Sequence, residues 1–199
     1  MIDIPHKTIF TTHKTLGHYK SPAGTGKTQR LKLRQISEQL GTQVMSSSLT
    51  RSEAWMFYSA VYLPKLRYVL PQCFFSRNAL RDIEGKALAA FVTKCGYSRT
   101  MSLAVRYGPK SLGGAGFTPL WVVQGEGQVL HFLKAWRSSN FLGDVLRCTV
   151  AWAQYCVGSG IPILLRPKRH LPHLEARYLT SVRSFLATIG GTPTWPAVE

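Results

Sequence analysis

Residues 21–28 read SPAGTGKT, and the ending GTGKT has the residue types of a phosphate-binding loop, whose backbone amides cradle phosphates while its lysine contacts them. The full pattern places its first glycine five residues before Gly26, and Ser21 stands there. Such a loop also follows a buried strand and is served by a later acid, after an apolar strand, that holds magnesium. Neither is visible: Asp3 precedes the loop, and Asp144 sits within a helical pattern. A P-loop nucleotide hydrolase is therefore the alternative reading, beside that of a basic helical interaction protein. Metal-dependent phosphoryl transfer needs carboxylates converging on magnesium, and the nine acids include no adjacent pair. Cys73, Cys95, Cys148 and Cys156 form no CxxC and read as buried thiols of a reducing compartment. His13 with His18, and His170 with His173, lack the companion ligands of a zinc site. No catalytic residue, metal or cofactor is expected of this chain alone.

The remaining chemistry is cationic. Twenty-five Lys and Arg against nine Asp and Glu give a formal +16 over 199 residues, so a polyanionic partner is expected. Residues 1–110 hold 17 bases and 5 acids (+12), while residues 111–199 hold 8 and 4 (+4), which puts the contact surface in the amino-terminal half. No apolar run is long enough for a membrane span, and MIDIPHKTIF has an acid and a proline where a signal peptide needs a basic flank and an apolar core. An intracellular protein, cytoplasmic or nuclear and without a membrane partner, is expected.

The elements that must carry these side chains read as helices. Leu33, Ile36, Leu40 and Val44 make one buried stripe, and Lys27, Arg30 and Arg34 a second, roughly 120° away at 100° per residue and without neighbouring acids. The next helix opens at Thr50 or Ser52, carries Trp55, Tyr58 and Tyr62, and is bent or ended by Pro64. Ser76 caps a longer helix with Leu80, Ile83, Ala87, Leu88, Phe91 and Cys95 on one face, closed by Gly96. Thr118 and Pro119 start another that runs towards Arg137, with Gly125 and Gly127 tolerated through close packing. Leu142, Val145, Leu146, Thr149, Ala153 and Cys156 define a further face, and Leu174, Tyr178, Val182, Phe185 and Ile189 a last one. Only TIFTT and TLGHYK near the start alternate like a strand or hairpin. The expected fold is mainly α: a helical bundle with a short N-terminal strand or hairpin. Its expected segments are 1–26 (strand and turn), 27–157 (helical domain), 158–171 (a glycine-, proline- and base-rich linker) and 172–199 (a terminal helical segment).

Four stretches in this order resemble the region downstream of the catalytic palm in retroelement reverse transcriptases, particularly the non-LTR kind. HKTLGHYKSPAG (13–24) is similar to the strand and turn that close the palm. AWMFYSAVYLPKLRYVLP (54–71) is similar to a helix with a tyrosine, a leucine-proline break and a second tyrosine. SRNALRDIEGKALAAFVTKCGYSR (76–99) is similar to the long helix that follows, and GPKSLGGAGFTPLWVVQGEGQV (108–129) to a glycine pair and helix start. HLEARYLTSVRSFLATI, beyond Pro172, is similar to a segment further downstream. The resemblance implies a thumb-like module of an RNA-directed DNA polymerase. Such a module holds the backbone of duplex RNA or an RNA/DNA hybrid and leaves chemistry to a palm domain as its partner. The palm's paired aspartates are absent here, and GTGKT is not expected of the family at this turn. Lys20, Lys27, Arg30 and Arg34 are the expected phosphate contacts, with Lys65, Arg67, Lys86, Arg106 and Lys110 beyond them. Trp121 and Trp136 are candidates to stack on bases.

Overall fold

The computed structural model describes residues 8, 11–15, 17–21, 24 and 26–191. It is mainly helical, with one short antiparallel hairpin near the start. β1 (His13–Thr15) and β2 (His18–Lys20) pair in the register His13 to Lys20, Lys14 to Tyr19 and Thr15 to His18. The TIFTT expectation falls partly, at Ile9 and Phe10, outside the described residues, as do Pro22, Ala23 and Thr25 of SPAGTGKT. The chain forms two compact units, Met1–Val123 and Gln124–Glu199.

In the first unit, α1 (Lys27–Ser46) packs along α4 (Arg77–Lys94). Leu33, Leu40 and Val44 meet Leu80, Ile83, Ala87 and Phe91 in one core. Gly41 makes the approach possible, because a Cβ there would lie 2.8 Å from the Ala87 Cα. Thr50 caps α2 (Arg51–Phe57) through a reciprocal box, its hydroxyl accepting from Glu53 N–H while Glu53 Oε2 accepts from Thr50 N–H at 2.8 Å. Pro64 does not end this helix. Its missing N–H and its ring are absorbed by one wide turn over Tyr58–Tyr62, in which Leu63 N–H donates to Tyr58 O, and α3 (Leu63–Arg67) continues the path. That turn leaves Tyr58 and Tyr62 both buried. The Tyr62 hydroxyl is 2.9 Å from Ser37 Oγ, and the Tyr58 hydroxyl accepts from Thr118 N–H at 3.0 Å. Ser76 caps α4 as its sequence predicts, and Gly96, at φ +84°, follows its end. A one-turn helix, α5 (Leu103–Tyr107), leads to the glycine-rich loop before α6 (Leu120–Trp136). The first N–H of α6, at Leu120, donates to Glu84 Oε2 of α4 at 3.0 Å.

The second unit holds the rest of α6 with α7 (Phe141–Val157) and α8 (Arg177–Ile189). Its core joins Phe132, Val150, Ala153, Leu179, Val182 and Leu186. The Phe185 ring occupies the space that a side chain at Gly125 would fill, which is the close packing that the glycine implies. Several sequence expectations change here. The division between units falls inside α6 and not at residue 157. Residues 158–171 are not a bare connector, since Ile163 and Leu164 are buried in this core and the buried Arg183 donates to the carbonyls of Arg166, Pro167 and Arg169. The predicted face of α7 holds in part: Ala153 is buried and Leu146 packs on this core, but Leu142, Val145, Thr149 and Cys156 are exposed while Gly143 and Val150 face inward. In the last predicted face Val182 is buried and Leu174 and Tyr178 pack on the core as expected, Leu179 and Leu186 join them, and Ile189 is exposed. Cys148 and Cys156 are exposed too, against the expectation of four buried thiols. Among the described residues no helix is long and apolar enough to cross a membrane.

Candidate nucleic-acid interface

The hairpin is fastened to the start of α1 by one buried side chain. Gln29 Oε1 accepts from Tyr19 N–H at 2.7 Å, so Lys20, next along β2, and Lys27, the first residue of α1, belong to the same end of that helix. Both are exposed and make no ion pair among the described residues. Lys14, which the sequence reading passed over, is exposed on the paired strand of the hairpin. The first turn of α1 contains no acid, and Gly26 at its N-cap supplies no side-chain bond. The positive end of the helix dipole and the surrounding lysines therefore add on this surface with no carboxylate of the turn to offset them.

The other half of the predicted basic stripe is different. Arg30 Nη2 lies 2.8 Å from Asp82 Oδ2, Arg34 Nη1 lies 3.4 Å from Asp82 Oδ1, Arg34 Nε donates to Glu38 Oε1 at 3.1 Å, and Lys86 Nζ lies 3.1 Å from the same oxygen. Three cations and two carboxylates thus form a ladder over the α1–α4 seam, with a net charge of 3 − 2 = +1. The expectation of a stripe without neighbouring acids is corrected. Glu38 is the i+4 neighbour of Arg34, visible in the sequence, whereas Asp82 arrives only through tertiary packing. The hydrogen bond from Lys86, then that from Arg34, holds the Glu38 carboxyl below its ordinary range. The bond from Arg30 does the same for Asp82, and the bond to Glu38 raises Arg34.

The remaining predicted contacts are scattered. Lys65 and Arg67 are exposed on α3. Arg106 is half-buried, its Nη2 donating to Arg99 O at 2.8 Å, which makes it a brace of the α5 loop. Lys110 Nζ sits 3.4 Å from the centre of the Trp55 ring, a cation–π contact. Arg77 covers the Trp121 ring at 4.0 Å, and Trp136 stacks on Phe132 with centroids 5.7 Å apart, so both candidate stacking rings already have partners.

His18 Nε2 lies 3.3 Å from Cys73 Sγ, but burial pushes the Cys73 thiol up to about 12 and the His18 imidazole down, so the pair is neutral and packed, without a thiolate. Glu84 is buried, which raises its carboxyl, and its oxygens serve Leu120 N–H and the Tyr107 hydroxyl. No group of three His, Cys, Asp or Glu side chains is placed to hold a metal ion among the described residues. Comparison of the chain with protein-family models, curated proteins and solved structures found no match.

Proposed function

We propose that the chain is a non-catalytic module that grips the sugar-phosphate backbone of duplex nucleic acid, RNA or an RNA/DNA hybrid, through its first unit. The observation that carries this reading is where that unit keeps its acids. It has 17 bases against 5 acids. Of the four acids within the described residues, Glu38 and Asp82 sit in the α1–α4 ladder, Glu53 caps α2 and Glu84 is buried. None is left to offset Lys14, Lys20 and Lys27 beside the uncapped start of α1. A surface of this kind binds phosphates by charge and is indifferent to sequence.

The order of the four motifs supports a thumb-like role beside a reverse-transcriptase palm, in which this chain positions the duplex and the palm performs the chemistry. A gel-shift assay with duplex RNA, an RNA/DNA hybrid and duplex DNA, competed with heparin, tests the binding. Comparable shifts for all sequences, lost as salt rises, are expected. Sequence-selective or salt-insensitive binding contradicts it. Adding a purified reverse-transcriptase palm tests the partnership, which predicts greater retention of template and primer than with the palm alone.

A further inference from the structure

Helix α7 is apolar on two sides. Its inner side, with Val150 and Ala153, belongs to the core of the second unit. Its outer side carries Phe141, Val145, Cys148, Trp152 and Tyr155, at successive spacings of 4, 3, 4 and 3. At 100° per residue these five fall within about 40° of one line along the helix. The 4-3 alternation is the spacing of a coiled-coil seam. Phe141 is 82% exposed, Trp152 67% and Tyr155 78%, with Leu142 beside them at 62%. The Trp152 and Tyr155 rings are 5.8 Å apart, and Val145 and Cys148, both exposed, lie between them and Phe141 along the helix.

We propose that this stripe is where two copies of the chain pair, α7 against α7, about a two-fold axis. Three observations select a second copy as the occupant. The first is area. An aromatic side chain buries about 150–250 Å², so the exposed rings with Leu142 and Val145 offer on the order of 600 Å² per copy. Two copies then bury about 1,200 Å², the lower bound of a specific interface. The second is charge. The two charged residues of α7, Asp144 and Arg147, bond to each other at 2.7 Å, so the stripe is a neutral strip on a strongly basic chain. It offers no cation to a phosphate or to an acidic partner, and it lets two cationic chains meet where neither repels the other. The third is self-complementarity. With the axis at Cys148, the middle of the five, an antiparallel pair sets Phe141 against Tyr155 of the partner subunit. It likewise sets the small Val145 against the large Trp152 of the partner subunit.

Sedimentation velocity of the nuclease-treated full chain, at high salt and over a range of concentrations, tests this. A reversible dimer with a dissociation constant on the order of micromolar is expected. Phe141→Glu with Trp152→Glu weakens it by roughly a hundredfold or more, because each ring is an aromatic anchor set against a side chain of the partner subunit. The melting temperature of the monomer stays near that of the parent, since both rings are exposed. Tyr155→Lys alone serves the same purpose should the double variant fold poorly. A short bis-maleimide should link the dimer through Cys148, and Cys148→Ser should abolish that product. A wild-type chain that stays monomeric throughout overturns the proposal, as does a dimer that survives these substitutions. A monomer whose duplex binding is lost in the same variants reassigns the stripe to base stacking.

Discussion

The Arg30 guanidinium reaches the Asp82 carboxylate at 2.8 Å across 52 residues of chain, and with Arg34, Glu38 and Lys86 it makes the α1–α4 seam an electrostatic ladder. The contact divides the basic stripe of α1 into a partly neutralised half and a free end at Lys27.

Asp82→Asn releases Arg30 from the ladder, leaves Arg34 paired with Glu38 alone, and should tighten duplex binding several-fold. The melting temperature should move little, because exposed ion pairs contribute little. Arg30→Gln with Arg34→Gln should weaken binding less than removal of Lys20 and Lys27. Fluorescence anisotropy and circular dichroism on the same samples check both statements, and weaker binding by Asp82→Asn would show that the ladder itself orients the contact surface.

Glu84 governs how stability depends on pH above the carboxylate range. Burial raises its folded pKa, so the folded chain retains a proton that the unfolded chain has released. Stability from this group is fully present below about pH 4.3, the ordinary glutamate value, and is lost as pH rises through the folded pKa. Asp82 and Glu38 act in the opposite sense, losing their contribution as pH falls through their depressed values. Glu84→Gln keeps an acceptor for Leu120 N–H and should flatten the decline on the neutral side. Glu84→Ala leaves that N–H unpaired and should cost about 1–3 kcal/mol. Thermal melts from pH 4 to pH 8 distinguish the two.

Gly41 and Gly85 form a matched pair on facing helices. A Cβ at Gly41 meets the Ala87 backbone, whereas nothing lies within 4 Å of one at Gly85. Gly41→Ala should therefore destabilise by about 1–3 kcal/mol through overpacking. Gly85→Ala should stabilise by about 0.5–1 kcal/mol through backbone entropy. Urea denaturation reads both, and equal effects would contradict the α1–α4 contact.

Where a helix has one apolar side and a local cap, the sequence specifies it: α4, from Ser76 to Gly96, is such a case. Periodicity specifies the face of α7 only in part, because that helix is apolar on two sides and the core covers one of them. Residues 158–171 read as a linker because glycine, proline and basic residues dominate them. What orders the segment is Arg183, whose reach back to three carbonyls has no local signature. At the candidate interface, the lysines at the start of α1 were legible as charges. The Arg34–Glu38 pair is legible as an i, i+4 spacing, whereas the Asp82 contact needs the packing of two distant helices.

Lys20 and Lys27, at the free end of α1, are the proposed phosphate contacts. Fluorescence anisotropy of a labelled RNA/DNA duplex, titrated with the parent chain and with Lys20→Gln/Lys27→Gln at several salt concentrations, tests this most directly. Weaker binding of every duplex sequence is expected, with a salt slope smaller by about 2, at about 0.9 per lost phosphate contact, and an unchanged melting temperature. Equal affinities and equal slopes for the two proteins would contradict it.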